Sequence, residues 1–354
     1  MTAIDHAKPV LVTGATGYIA GWVIERLLRG GHAVHATVRD PSKTANVAHL
    51  QKIADESAGS ITFFKADLLT PRAFDDAMQG CELVFHMASP FVVLNYKDAE
   101  AEIVRPAVEG TRNVLDSVNR IESVKRVVLT SSIVSTYGDA VEIENTKNNS
   151  FDESHWNVTS SADYQPYPYS KVAAEREAWK MVKAQSRWDL VCVNPALVMG
   201  PSLTTSSNSG SIEVLQQFGD GTTRMGVPPM WNGIVDVRDV ADAHIAAGFI
   251  PTANGRYIIS GGSLNLLEMG QALREQFGSK YPFPSMVVPK FAFTLVAPFY
   301  GYSRKFVRLN MGYPIYFNNQ RSIQDLGIHY RDIKQSVCEH FQQLLDDGLV
   351  KKRA

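Results

Sequence analysis

Cysteine is scarce in this chain. Three occur in 354 residues, Cys81, Cys192 and Cys338. They stand far apart without CxxC or metal-ligand spacing, which excludes a disulfide framework and leaves no expected metal site. They read as reduced thiols in a reducing compartment. An excess of one charge is also missing. Lys and Arg number 35 against 36 Asp and Glu, a net charge of −1 with a pI near 6.8. No basic stripe stands out, so no nucleic-acid partner is expected. Long hydrophobic runs are missing too. "FAFTLVAPFYGY" at 291–302 falls short of the ~20 residues that span a bilayer, and Pro298 interrupts it, so no integral membrane segment is expected. It reads first as buried packing, next as a pocket wall, and last as a contact with a membrane surface. No apolar leader precedes the first motif in "MTAIDHAKPVLVTGATG", so a cytoplasmic location is expected.

What is present is ample apolar material, 45% of residues, enough for one large α/β domain or a domain with a smaller appendage. Short apolar runs at 9–14, 33–39, 61–67, 81–89, 124–132 and 189–200 alternate with helical spacing at 18–31, 43–55, 71–79, 98–120 and 167–186. Strands alternating with amphipathic helices predict a parallel sheet covered on both faces. After Gly200 the pattern loosens into a Ser/Thr-rich loop and a Gly/Pro-dense stretch. A strand and helix at about 234–250, a strand at 256–260 and a helix at 266–278 follow. The expected division is a dinucleotide-binding domain over 1–200, with 234–260 returning to it, and a smaller lobe from 201–233 and 261–354.

"VTGATGYIA" places Gly14 and Gly17 between the first strand and the first helix. Gly14 permits a tight turn. Gly17 lets the backbone approach a pyrophosphate, and the helix N-terminus supplies free N–H groups. The third small position is Ala20. This context predicts dinucleotide binding. At the end of the second strand, "TVRDPSK" offers Arg39, with Lys43 nearby, to pair with a 2′-phosphate, which favours NADPH. Asp40 precedes a proline and reads as the start of a turn. Asp67 and Leu68, after the third strand, are placed to meet an adenine; Asp67 equally reads as the N-cap of a helix at 71.

Three tyrosines crowd "DYQPYPYSKVAAE". Tyr167 and Lys171, four apart, share a helix face, while Tyr164 and Tyr169 have the wrong spacing. A tyrosine acts as a proton donor when a nearby ammonium draws its pKa below ~10. Pro168 confines Tyr167 to the first helical turn. A lone YxxxK is a common accident, but "VVLTSS" ends the fifth strand with hydroxyls at the sheet's carboxyl end, where ligands bind. Ser132 is the expected partner of a substrate carbonyl. Thr130 and Ser131 are expected to pack or bond backbone.

Taken together, the chain resembles the extended short-chain dehydrogenases/reductases over residues 9 to about 330, closest to the branch of dihydroflavonol reductases, cinnamoyl-CoA reductases and yeast methylglyoxal/aldehyde reductases. The resemblance rests on "VTGATGYIA", "ATVRDPSK", "VFHMASPF", "PAVEGTRNVL", "FDESHWN", "YPYSK", "NPALVMGP" and "DVRDVADAH", in the family's order. It implies a Rossmann-type doubly wound parallel sheet with a smaller C-terminal substrate lobe. It implies Ser132, Tyr167 and Lys171 as the catalytic triad, and Gly14, Gly17, Tyr18 and Ile19 at the pyrophosphate. Arg39 and Lys43 would select NADPH, Asp67 and Leu68 meet the adenine, and Ala88 and Ser89 lie near the ribose. Pro195, Leu197 and Val198 would flank the nicotinamide. The expected activity is NADPH-dependent reduction of an aldehyde or ketone by a monomer or homodimer. The alternatives are a sugar-nucleotide epimerase/dehydratase or hydroxysteroid dehydrogenase with NAD, and a non-catalytic NADP sensor. Flavonoid reductases carry an amide after the catalytic serine; here Ser135 and Thr136 stand instead, against flavonoid specificity. Loop position nominates Phe91, Val93, Tyr137, Met199, Leu203 and Trp231 as substrate contacts, with lobe packing the equal alternative.

Overall fold

Strands buried on both faces need no polar alternation. β1 (Val10–Val12), β2 (Ala33–Val38), β3 (Ser60–Lys65), β4 (Leu83–His86), β5 (Arg126–Thr130) and β6 (Asp189–Pro195) are mostly of this kind in a computed structural model that describes residues 1–90, 96–204 and 210–351. Helices α1 (Tyr18–Arg29), α2 (Ala48–Asp55), α3 (Asp75–Met78), α4 (Arg105–Arg120) and α5 (Pro166–Lys183) join them. After Ala196 the chain leaves this sheet. β7 (Leu197–Met199) runs parallel to β8 (Trp231–Asp236), with α6 (Gly210–Asp220) between them in sequence. α7 (Val237–Phe249) then leads to β9 (Gly255–Ile259), which returns to the first sheet beside β6. β10 (Gly262–Asn265) pairs antiparallel with β8.

The first sheet therefore has seven parallel strands in the order β3-β2-β1-β4-β5-β6-β9, and the second has three, β10-β8-β7. The order reverses at β1, so a crevice opens between the carboxyl ends of β1 and β4. α1 packs on α7 across one face and α4 on α5 across the other. α8 (Leu266–Phe277), α9 (Lys290–Val296), α10 (Arg304–Asn310), α11 (Gln320–Leu326) and α12 (Ile333–Asp346) complete the chain. α8 and α12 cover the small sheet around a core of Met199, Leu215, Phe218, Met269 and Phe341. Among the described residues no helix is long and apolar enough to cross a membrane.

Three elements differ from the sequence reading for local reasons. The single strand expected at 189–200 is two strands in different sheets. Ala196 N–H still bonds the Ile259 carbonyl, whereas Leu197 pairs with Ile234. The helix expected at 71–79 shrinks to α3, because Arg72 sits at φ 63° and breaks its lead-in. The helix expected at 98–120 opens as a wide π turn at Glu100–Val104 before α4 begins, with a proline in α4's first turn.

Candidate active site

The turn from β1 into α1 is shaped by two absent side chains. Gly14 has φ 71°, and a Cβ there would lie 2.9 Å from Ala88 Cα. A Cβ on Gly17 would meet the Gly14 carbonyl at 3.1 Å. Thr13 pins this turn to β4: its buried hydroxyl accepts the N–H groups of Met87 and Ala88, both at 3.0 Å, and lies 3.1 Å from His86 Nδ1. Ala88 and Ser89 are thereby held against the glycine turn. Gly17, Tyr18, Ile19 and Ala20 line a cavity of about 360 Å³ over the carboxyl ends of the strands. Tyr18 also reaches across it, donating its hydroxyl to the Gly200 carbonyl at 2.5 Å. Burial pushes that hydroxyl's pKa up, and the Asp236 charge pushes it the same way.

Arg39 and Lys43 are exposed just past β2, and neither forms an ion pair among the described residues. Asp40 accepts Ser42 N–H at 3.1 Å and Ser42 Oγ–H at 2.6 Å, as a turn-opening aspartate does. Asp67 accepts Leu69 N–H at 2.9 Å and caps no helix, since α3 begins only at Asp75; the capping alternative is corrected. Leu68 packs into a notch on α4 that exists because residue 110 is glycine: a Cβ there would run into Leu68 Cδ2.

The three hydroxyls ending β5 and its loop go different ways. Thr130 Oγ1 lies 2.8 Å from His244 Nε2. Ser131 Oγ donates to Glu175 Oε2 at 2.5 Å. Packing or backbone bonding was expected of both; Ser131 is buried, and both hydroxyls bond side chains. Ser132 is half-buried and lines the cavity, and its Oγ accepts a long 3.4 Å contact from Val134 N–H. Opposite it, α5 begins at Pro166 after Gln165 takes a left-handed φ of 57°. Tyr167 falls in the first turn and Lys171 one turn on. Both face the cavity, with Lys171 Nζ 5.6 Å from the Tyr167 ring centre and donating to Ser89 Oγ at 2.9 Å. Tyr164 turns elsewhere: its hydroxyl donates to Asp139 at 2.6 Å and its ring lies 3.7 Å from Lys305 Nζ.

Burial pushes Tyr167 up to about 12 and Lys171 down to about 8. The ammonium was expected to draw the phenol down. Burial is the cause of both shifts, and it carries the phenol up instead. At neutral pH the phenol is protonated and the lysine mostly charged, so the first can give a proton and the second can donate hydrogen bonds. His86 below them is neutral, held down to about 3 by burial and secondarily by the Lys171 charge.

Sequence reasoning missed what stands behind this face. Glu175, fully buried one turn beyond Lys171, accepts Arg256 Nε–H at 2.6 Å and Trp179 Nε1–H at 3.2 Å. It also accepts Asn194 Nδ2–H at 2.9 Å, and the same amide donates to the Ser132 carbonyl at 3.1 Å. One carboxylate thus ties α5, β6, β9 and the Ser131–Ser132 corner together. The helical spacing from Lys171 to Glu175 was visible; Arg256, far along the chain, gave no local signal.

Pro195, Leu197, Val198 and Tyr137 line the cavity as well. Met199 does not. It is fully buried in the small-lobe core, because alternation along β7 turns it away from its cavity-facing neighbour. Leu203 lies over Gly21 on α1, and the Trp231 ring centre is 6.2 Å from that of Tyr316; both are packing residues and not cavity lining. Phe91 and Val93 lie outside the described residues. Ile133, Val134, Ser211, Asn232 and Gly233 also line the cavity and were not foreseen.

Known proteins share this architecture. The chain is 36% identical over 349 residues, 97% of this chain and 98% of the relative, to a cinnamoyl-CoA reductase of Medicago truncatula. It is 35% identical over 353 residues, 98% of each, to tetraketide alpha-pyrone reductase 1 of Arabidopsis thaliana. The solved structure of yeast methylglyoxal/isovaleraldehyde reductase complexed with NADPH superposes with a TM-score of 0.78 at 26% identity, covering 96% of this chain and 98% of that one. The model of the NAD dependent epimerase/dehydratase family matches residues 10–255. With its seven-stranded Rossmann-type sheet, the chain belongs to that family, the extended short-chain dehydrogenases/reductases, and is an oxidoreductase.

Proposed function

We propose that this protein reduces an aldehyde or ketone to an alcohol with NADPH. The observation that carries the reading is that Ser132, Tyr167 and Lys171 face one cavity beside the Gly14–Gly17 turn, while Arg39 and Lys43 stand exposed after β2, the strand next to β1. The residues fit the dinucleotide. The turn is a cradle that a Cβ would fill, and Arg39 and Lys43, which form no ion pair among the described residues, follow β2, where a 2′-phosphate is met in such folds. The bound cofactor supplies hydride to the carbonyl carbon. Ser132 Oγ orients the carbonyl oxygen and stabilises its developing charge. The Tyr167 phenol gives that oxygen its proton, and Lys171 with Ser89 holds the ribose. Ala88, Asp67 and Leu68 border the adenosine side, and Pro195, Leu197 and Val198 the nicotinamide side. The lobe formed by 201–233 and 261–354 closes over the substrate, and Tyr137 is its one foreseen contact retained here. A cytoplasmic setting, where the thiols stay reduced, belongs to the same proposal.

Flavonoid substrates are disfavoured. Ser135 and Thr136 are buried, the first 2.9 Å from Ser131 Oγ and the second donating to the Ile133 carbonyl at 2.6 Å. Neither offers the cavity a polar group. Tyr167→Phe should lower turnover by roughly 10²–10⁴-fold with NADPH affinity nearly unchanged. Near-normal turnover in Tyr167→Phe with loss in Tyr164→Phe or Tyr169→Phe would reassign the acid. Arg39→Ala should weaken NADPH far more than NADH, and equal losses would remove the 2′-phosphate contact. NADPH oxidation across aldehydes, α-diketones, aryl ketones, sterols and dihydroflavonols identifies the substrate class.

A further inference from the structure

The near-zero net charge conceals an uneven distribution. Between Gln276 and Gln324 the chain carries Lys280, Lys290, Arg304, Lys305, Arg308 and Arg321 and not one Asp or Glu. The same stretch holds the apolar run 291–302, whose first-choice reading was buried packing. Only its inner side is buried: Phe293 and Ala297 pack with Val307 and Met311. Its outer side stands in solvent, with Phe291 76%, Leu295 69%, Phe299 89% and Tyr300 63% exposed. Residues 291, 295 and 299 follow helical spacing along α9 and the turn after it, so they form one outward row. Beside that row, Lys290, Thr294, Arg304, Lys305 and Arg308 line a cleft of about 420 Å³. None of these four cations forms an ion pair among the described residues.

We propose that residues 286–308 form a peripheral docking surface for an anionic lipid bilayer, with the Phe291–Leu295–Phe299 row entering the acyl boundary and the cationic cleft receiving lipid phosphates. Charge disfavours a second copy, because a two-fold pairing on this face would set like cations against one another. Shape favours lipid over a protein partner. The aromatic side chains of Phe291 and Phe299 project from the surface, and projecting rings suit a deformable apolar phase. Aromatic and aliphatic side chains flanked by Lys and Arg are the composition of interfacial segments.

The test is co-sedimentation of the full chain with vesicles of phosphatidylcholine alone or mixed with phosphatidylserine, at low and high salt. Binding is expected with the mixed vesicles at low salt, and it should weaken as salt rises. Phe291→Asp with Phe299→Asp should lower partitioning at least about tenfold. Each of Arg304→Gln and Arg308→Gln should lower it about fivefold. The substituted side chains are exposed, and an unchanged melting temperature confirms that the fold is retained. Absence of sedimentation with phosphatidylserine, or equal sedimentation with neutral vesicles, overturns the proposal. So does a homodimer that the Phe291→Asp/Phe299→Asp chain fails to form, or binding that the double variant leaves intact.

Discussion

Two regions of this molecule hold their charges in opposite ways. Behind the cavity, Glu175 is completely buried and Arg256 nearly so; they contact each other, and every remaining donor or acceptor is spent on Ser131, Asn194, Trp179 or a backbone carbonyl. Around α9 and α10, Arg304, Lys305 and Arg308 are exposed beside exposed aromatic rings, and Lys290, partly buried, donates to the Arg308 carbonyl at 2.9 Å. A buried charge is tolerated only where its partners are fixed, so the first cluster must be assembled for the fold to exist. An exposed charge stabilises little and is free to meet something outside the chain.

That contrast can be broken by removing single partners. The largest effect belongs to Glu175→Ala, which leaves Arg256 buried beside Trp156 without its carboxylate and should cost about 3–5 kcal/mol in urea unfolding. If that chain does not fold, Glu175→Gln should fold with lower stability and a displaced Ser132. Unchanged stability in both would mean the carboxylate holds nothing.

An intermediate effect lies in the pH dependence. Lys171 is held down at about 8 from an ordinary 10.5. Between those values the unfolded chain binds a proton that the folded chain lacks, so this group adds stability as pH rises through that window. Tyr167, pushed up to about 12, works in the opposite sense only above pH 10. Comparing wild type with Lys171→Met at the two ends of the window should reveal a difference of roughly 1–3 kcal/mol in unfolding free energy. Parallel pH curves for the two proteins would show that Lys171 titrates normally.

The smallest effect sharpens the other side. Arg308→Gln should change unfolding free energy by less than about 0.5 kcal/mol, because the side chain is exposed and pairs with no acid among the described residues. A larger loss would mean that this cation is part of the fold's support after all.

The nucleotide half was legible because its signals are local. Apolar runs mark β1 to β6, glycines mark the tight turn at Gly14, and a four-residue interval marks Tyr167 with Lys171. Asp40 was readable as a turn from the proline beside it. Where tertiary pairing decides, local pattern fails. Nothing in "NPALVMGP" announces that one ladder ends at Pro195 and another begins at Leu197, and so Met199 was assigned to the cavity when it belongs to the core. Trp231 and Leu203 failed similarly, since loop position says nothing of which neighbour a side chain meets. The tyrosine's raised pKa was also out of reach, because burial is a property of the assembled cavity. The apolar run at 291–302 shows the converse error: composition suggested a core, but only one side of a short helix had a core to join.

The crossing at Ala196 has a further consequence. One residue separates the last rung of β6 from the first rung of β7, and that residue's N–H is itself committed to β9. Adding or deleting a single residue there would invert which side chains of β7 face inward, exchanging Val198 and Met199 between cavity and core. This joint has no slack. Changes of chain length among related proteins must therefore be taken up elsewhere, and reshaping of the cavity at this wall has to proceed by replacing side chains at fixed spacing.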